Sequence, residues 1–145
     1  MTKKIVSFLF VLSLVLAGCT DLSKSKILFN GGDVNNWLTE GSIVVSDSII
    51  QIGNSGKMTL KNGKFTDFEL LVTAKTVGNG KGEIRFHTDA RGNDGYAVAL
   101  SNDLENPQWW TKTGSLLSVR NLVKSTVKKD EWFDVRIKVE GKKID

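Results

Sequence analysis

The sequence predicts an all-β fold, an antiparallel sandwich of short strands, and three observations predict it. Short apolar stretches recur between clusters of glycine, asparagine, aspartate and serine, which is the punctuation of strands and turns. The longer segments alternate apolar and polar residues with a period of two, as half-buried strands must. No segment carries the apolar spacing of an amphipathic helix. The chain has 145 residues, 40% hydrophobic and 25% charged, so it is one domain by length and ordinarily globular by composition.

Residues 1–18 stand apart from that domain. Lys3 and Lys4 precede an apolar run from Ile5 to Ala17 that ends in Leu16-Ala17-Gly18-Cys19. Basic residues, a short apolar core and small residues before a cut make a secretory signal. The run is too short for a membrane span, which needs about 20 apolar residues. Leu-Ala-Gly-Cys resembles the bacterial lipoprotein signal, in which Cys19 becomes the lipidated first residue of the mature chain. Lipidation also accounts for a lone cysteine in an exported protein, where no internal disulfide can form. Acyl chains there would hold the domain at a membrane surface, each buried methylene contributing about 0.8 kcal/mol. The expected location is the bacterial cell envelope, with residues 19–26 as lipidated cysteine and polar tether and residues 27–145 as the sandwich. Without residues 1–18 the chain loses Lys3 and Lys4, and its formal charge falls from +4 to +2. That is too little to argue for nucleic acid as a partner, and Lys124, Lys128 and Lys129 read as a solvated face.

From Ile27 the expected strands follow in order: ILF before NGGD, SIVV before SD, SIIQI before GNSG and MTL before KNG. Asp67 to Lys75 is the first long one, with Phe68, Leu70, Val72 and Ala74 on one face. VGNGKG follows and is expected to be a hairpin turn, since it has neither the Walker spacing nor a helix after it. Gly82 to Asp103 reads as two strands joined by a polar, glycine-bearing loop. DARGNDG within it lacks the ligand spacing of a calcium loop, although Asp89 and Asp94 can hold a cation. TGSLLSVRNL, residues 113–122, alternates Leu117 and Val119 against Leu116, Ser118 and Arg120. WFDVRIKVE turns Phe133, Val135, Ile137 and Val139 inward, then Gly141 turns the chain and Ile144 starts another strand. Because that strand is cut short and would leave its neighbour an open edge, the domain is expected to be a piece of a longer one, incomplete at the C-terminus.

The candidate site is the Gly82 to Asp103 hairpin. Alternation places Ile84 and Phe86 on one face and Glu83, Arg85, His87 and Asp89 on the other. On the returning strand Tyr96, Val98 and Leu100 share a side, and only the methyls of Ala97 and Ala99 occupy the opposite one. Alanines beside the charged row would leave a hollow, with the chain's only histidine at its edge. Trp109 and Trp110 point to opposite faces if they lie on a strand, so one indole is expected at the surface. It is either a platform for a sugar ring or a structural aromatic.

LFNGGDVNNW (28–37), DFEL (67–70), EIRFHTD (83–89), GYAVAL (95–100), TGSLLSVRNL (113–122) and EWFDVRIKVEGKKI (131–144) resemble, in order, successive blocks of the 3-keto-disaccharide hydrolase domain family. That resemblance implies a concanavalin A-like jelly-roll β-sandwich, a carbohydrate ligand, and further closing strands beyond the last hairpin. It also marks departures. Lys81-Gly82-Glu83 and His87 stand where many members have Asn-Ser-Gly and Arg, and Ala97 stands where many have glutamate.

In the chemistry the resemblance implies, a ketone at C3 of the sugar acidifies the C2 hydrogen and the leaving group sits at C1. One base and one group to hold the enolate would suffice, without the paired carboxylates of ordinary glycosidases. An imidazole titrates near working pH, at about 6.5, which makes His87 the candidate base. Arg85 is the candidate enolate holder, and Glu83 or Asp89 could orient the imidazole, bind a metal or replace it as base. Tyr96, Arg120, Trp109 and Trp110 are candidates for substrate contact. No cofactor is expected, and a divalent cation would need carboxylates that the fold, not the spacing, brings together. Two further readings of the same residues stand beside this one: a noncatalytic lectin-like face, and a structural envelope lipoprotein whose charged row is simply the wet side of a sheet.

Overall fold

A computed structural model describes residues 25–102 and 110–145. The signal segment, Cys19, most of the tether, Pro107 and Trp109 lie outside the described residues. Nine strands are described, all paired antiparallel. They are β1 (Trp37–Glu40), β2 (Ile43–Ser46), β3 (Ile49–Ile52), β4 (Lys57–Leu60), β5 (Phe68–Ala74), β6 (Lys81–Phe86), β7 (Tyr96–Ser101), β8 (Phe133–Glu140) and β9 (Lys143–Ile144).

The fold is an all-β sandwich whose two layers are set by the longest alternating segments. One layer is β5-β8-β9, in register from Phe68 opposite Val139 to Ala74 opposite Phe133. The other is β6-β7, extended on the far side of β7 by residues 113–117. There the N–H groups of Thr113, Gly114 and Leu117 donate to the carbonyls of Ser101, Ala99 and Ala97, and Ala99 donates back to Ser115. Phe86, Val98, Ile137 and Val139 are the buried centre between the layers, with Phe68, Leu70, Ile84, Leu116, Val135 and Ile144 packed around it. Alternation reads β8 correctly: Phe133, Ile137 and Val139 are buried, and Asp134, Arg136 and Glu140 are exposed. The expected strand at Ile144 is β9, paired with β8.

Three expectations are corrected. The segment 27–29 is not a strand. Asn30 Oδ1 accepts from the N–H groups of Gly32 (2.9 Å) and Asp33 (3.2 Å), which folds the chain back, and the Trp37 indole donates to the carbonyl of Leu28 at 3.0 Å. The first strand is β1, which pairs with β4 around the β2-β3 hairpin. VGNGKG is not a hairpin turn. β5 and β6 belong to different layers, so this loop crosses the sandwich. Residues 113–122 do not form one strand either. Ser118 has a left-handed φ of 63°, and Leu116 bridges both Val98 and Arg120, so the chain doubles back at the point where alternation assumed it ran on.

The N-terminal strands are tied to the sandwich at the loop after β6. Lys57 on β4 donates to the carbonyl of Arg91 and, at 3.3 Å, to Asn93 Oδ1. No helix among the described residues is long and apolar enough to cross a membrane.

Because Ile137 is buried between the layers and Leu71 on β5 is exposed, the two positions should respond differently to truncation. Ile137→Ala is expected to destabilise the domain by about 2 to 5 kcal/mol. Leu71→Ala is expected to change stability by under about 0.5 kcal/mol. Paired urea titrations of the two variants check this.

Candidate functional site

The β6-β7 register places Glu83 opposite Ala99, Arg85 opposite Ala97 and Lys81 opposite Ser101. Ile84 and Val98 face the core, so by alternation these odd-numbered residues share the other face. Thr113, Ser115 and Leu117 continue that face along the next segment. The charged row and the alanines therefore do lie side by side. The hollow expected between them is not open: Ala97 and Ala99 are only 7% and 5% exposed.

Arg85 and Glu83 meet directly on this face. Arg85 Nη2 lies 2.7 Å from Glu83 Oε2 and Arg85 Nε donates to the same oxygen at 2.9 Å, with the side chains 44% and 38% exposed. In water such a pair is worth only about 0.2 to 1 kcal/mol. Its weight as a site lies in its being half-exposed and carrying both an acceptor and a donor fork.

His87 is not part of the row. β6 ends at Phe86, and His87 takes a left-handed φ of 52°, which breaks the alternation. Its imidazole lies edge-on to Phe68, Phe86 and Tyr96, with ring centres 5.9, 5.7 and 6.4 Å away, and its Nε2 is 3.0 Å from the carbonyl of Thr66. Tyr96 stacks on Phe86 at 5.6 Å, so it too belongs to the aromatic cluster. Gly95 makes the approach possible: a Cβ there would stand 2.4 Å from the carbonyl oxygen of Phe86 and 2.7 Å from that of His87.

Asp89 holds the loop. Its Oδ1 accepts from the N–H groups of Asn93 (2.7 Å) and Arg91 (2.9 Å), and its own N–H donates to Asn93 O at 2.9 Å. The Asn93 N–H, helped by that of Arg91, holds the Asp89 carboxyl below its ordinary range against the opposing effect of partial desolvation. Asp94 also has a left-handed φ, and no group of three or more His, Cys, Asp or Glu able to hold a metal occurs among the described residues.

Arg120 lies elsewhere. It stands on the rim of a cleft of about 210 Å³ between the layers, beside Leu116, Val98 and Ile137, on the core side of the sheet. Trp110 is exposed, and Trp109 and Cys19 lie outside the described residues. Of the four residues expected to act together, the structure brings together Glu83 and Arg85.

Residues 24–145 match the family described as the 3-keto-alpha-glucoside-1,2-lyase-like domain. The chain belongs to that family. No curated protein and no solved structure matches it.

In this 3-keto-alpha-glucoside-1,2-lyase-like domain, a buried polar network borders the small-residue face. Thr113 Oγ1 accepts from the Ser101 N–H (2.8 Å) and donates to Asn102 Oδ1, Asn102 Nδ2 donates to the Lys128 carbonyl (3.3 Å), and Ser115 Oγ accepts from the Leu122 N–H (2.8 Å). Asn102 and Ser115 are among the most deeply buried side chains described. Sequence reasoning missed them, because neither apolar spacing nor a motif marks a polar residue whose partner lies across a sheet.

The Asp89 carboxylate stabilises the loop while it is ionised. That contribution is present above its unfolded pKa of about 3.9 and is lost as pH falls through the lower folded value. Hydrogen exchange at the amides of Arg91 and Asn93 is expected to lose protection on acidification through that range, and Asp89→Ala should show the loss at neutral pH.

Proposed function

We propose that this domain recognises an oxidised glycoside, a sugar with a ketone at C3, at the Glu83–Arg85 pair. The observation that supports the reading is the direct, half-exposed contact between the two side chains on the non-core face of β6. The guanidinium offers a planar donor fork to the ketone or a hydroxyl, and the carboxylate accepts from neighbouring hydroxyls. Membership of the 3-keto-alpha-glucoside-1,2-lyase-like family supports that substrate class.

A second reading, elimination, is favoured by the same pair. Glu83 would take the C2 proton, Arg85 would hold the enolate oxygen, and the enolate would collapse to restore the C3 carbonyl and form the C1–C2 double bond as the C1–O bond breaks, the departing oxygen taking a proton back from the Glu83 carboxyl. His87 is exposed, but its ring lies edge-on to Phe68, Phe86 and Tyr96 and outside the Glu83–Arg85 row, so both readings are placed on that pair. Ala97 opposite Arg85 adds no second carboxylate, which is why recognition is put ahead of catalysis.

Calorimetry and product assays with 3-keto disaccharides and their unoxidised parents test both. Arg85→Ala is expected to weaken binding roughly tenfold or more, the loss of a charge-assisted hydrogen bond. If the pair is catalytic, Glu83→Gln should reduce turnover by about 10² to 10⁴ while binding survives. Binding that is indifferent to both substitutions would sink the site.

We also propose that Cys19 is acylated and holds the domain at the surface of a bacterial envelope membrane. The support is the Leu16-Ala17-Gly18-Cys19 sequence after an apolar run. Cys19→Ser is expected to move the expressed protein from the detergent phase to the aqueous phase in a phase-separation assay, with loss of the acyl mass from the N-terminal peptide. Partitioning unchanged by Cys19→Ser would remove the anchor.

A further inference from the structure

The loop that leads into β6 and the segment that precedes β8 meet at one end of the sandwich. The Gly78 N–H donates to Asp130 Oδ1 at 2.6 Å, Lys129 Nζ donates to Asn79 Oδ1 at 2.7 Å, and Lys75 Nζ stands 6.0 Å from the centre of the Trp132 ring. The Asn102 bond to the Lys128 carbonyl brings the end of β7 into the same corner. These contacts tie the two backbones together and leave two large apolar side chains outside, Val77 at 71% exposed and Trp132 at 53%.

Lysines are frequent in the same segments, and one of them, Lys75, stands beside Trp132. Lys75, Lys81, Lys128 and Lys129 are all exposed, and the carboxylates in the same two segments are Asp130, engaged by Gly78, and Glu131, 3.5 Å from Lys128. The two segments therefore combine an exposed valine, an exposed indole and more lysines than carboxylates among their described residues.

We propose that this corner docks on an anionic lipid bilayer, with Trp132 and Val77 entering the headgroup region and the lysines facing the lipid phosphates. An indole has an apolar body and a polar N–H, and it is favoured at a membrane-water boundary. Lysine stems lie along such a boundary while their ammonium groups stay in water. Basic residues held within a Debye length of an anionic leaflet are drawn to it. A nucleic acid would satisfy the lysines but leave Val77 in water, so the apolar tip favours the bilayer. The inference rests on neither the sugar reading nor acylation of Cys19, because it concerns which end of the domain faces the lipid.

The test reconstitutes the full chain with vesicles of phosphatidylcholine, alone or mixed with phosphatidylglycerol, each carrying acyl-brominated lipid as a tryptophan quencher. Quenching of tryptophan emission is expected with the mixed vesicles, to be reduced by high salt, and to fall in Trp132→Phe, in which Trp37, Trp109 and Trp110 still emit. Lys75→Glu combined with Lys128→Glu, both at exposed positions, is expected to reduce apparent partitioning to the mixed vesicles roughly tenfold or more. Val77→Asp should weaken it without affecting the circular dichroism of the sheet. Quenching that is the same with and without phosphatidylglycerol, or unaltered by Trp132→Phe, overturns the proposal.

Discussion

Strand β7 carries the constraint from which the rest of the molecule follows. It is hydrogen-bonded on one edge to β6 and on the other to residues 113–117, and residues 97–99 are buried in sequence without alternation. A strand enclosed on both faces cannot show the usual apolar-polar rhythm. Val98 fills the core between the layers, while Ala97 and Ala99 are buried on the opposite side beside Arg85 and Glu83. That pairing also decides what sits beside what: Arg85 meets Ala97, and Glu83 meets Ala99. Changing the register by one residue would bring Glu83 and Arg85 into the core layer and turn Ile84 out.

The start of β7 imposes a second constraint. Gly95 passes so close to the carbonyls of Phe86 and His87 that no side chain fits, and the neighbouring left-handed turn at His87 swings the imidazole toward the aromatic cluster. Edge-on aromatic contacts contribute about 0.5 to 1.5 kcal/mol each beyond their buried area. The histidine thus closes the end of the hairpin beside Phe68 and Phe86, and the acid-base pair stands on the other face. Asp89 is similarly engaged, its oxygen taken by two backbone donors of its own loop.

This division explains how far the sequence could be read. β5 and β8 were legible because Phe68-Leu70-Val72 and Phe133-Val135-Ile137-Val139 alternate over a length that no turn interrupts. The hairpin of β6 and β7 was legible in its strands and its glycine-bearing loop. Alternation failed at the first residue beyond β6, since a single left-handed φ at His87 reverses which side its chain takes. It failed again at Ser118 for the same reason. The crossing between layers at Val77–Gly80 was hidden because a glycine-rich loop looks the same whether it joins paired strands or strands of different sheets. Thr113 and Asn102 are bonded across the sheet, a contact that depends on register alone and leaves no periodic trace.

The candidate site differs from a second charged pair on the opposite layer. The outer face of β5-β8 also carries an acid-base pair, Glu69 and Arg136, with two hydrogen bonds of 2.8 and 3.1 Å. The Arg136 guanidinium holds the Glu69 carboxyl below its ordinary range, and close by Thr73 binds Asp134 at 2.6 Å and Lys138 pairs with Glu140 at 2.7 Å. These polar groups have partners within the sheet, and Leu71, opposite Arg136, is exposed. A ligand would have to displace good bonds to gain equivalent ones. At Glu83 and Arg85 the cross-strand neighbours are Ala97 and Ala99, which offer neither bonds nor bulk. Both bonds of the pair fall on one carboxylate oxygen, Glu83 Oε2, and a carboxylate and a guanidinium have capacity for further bonds that a polyol could use.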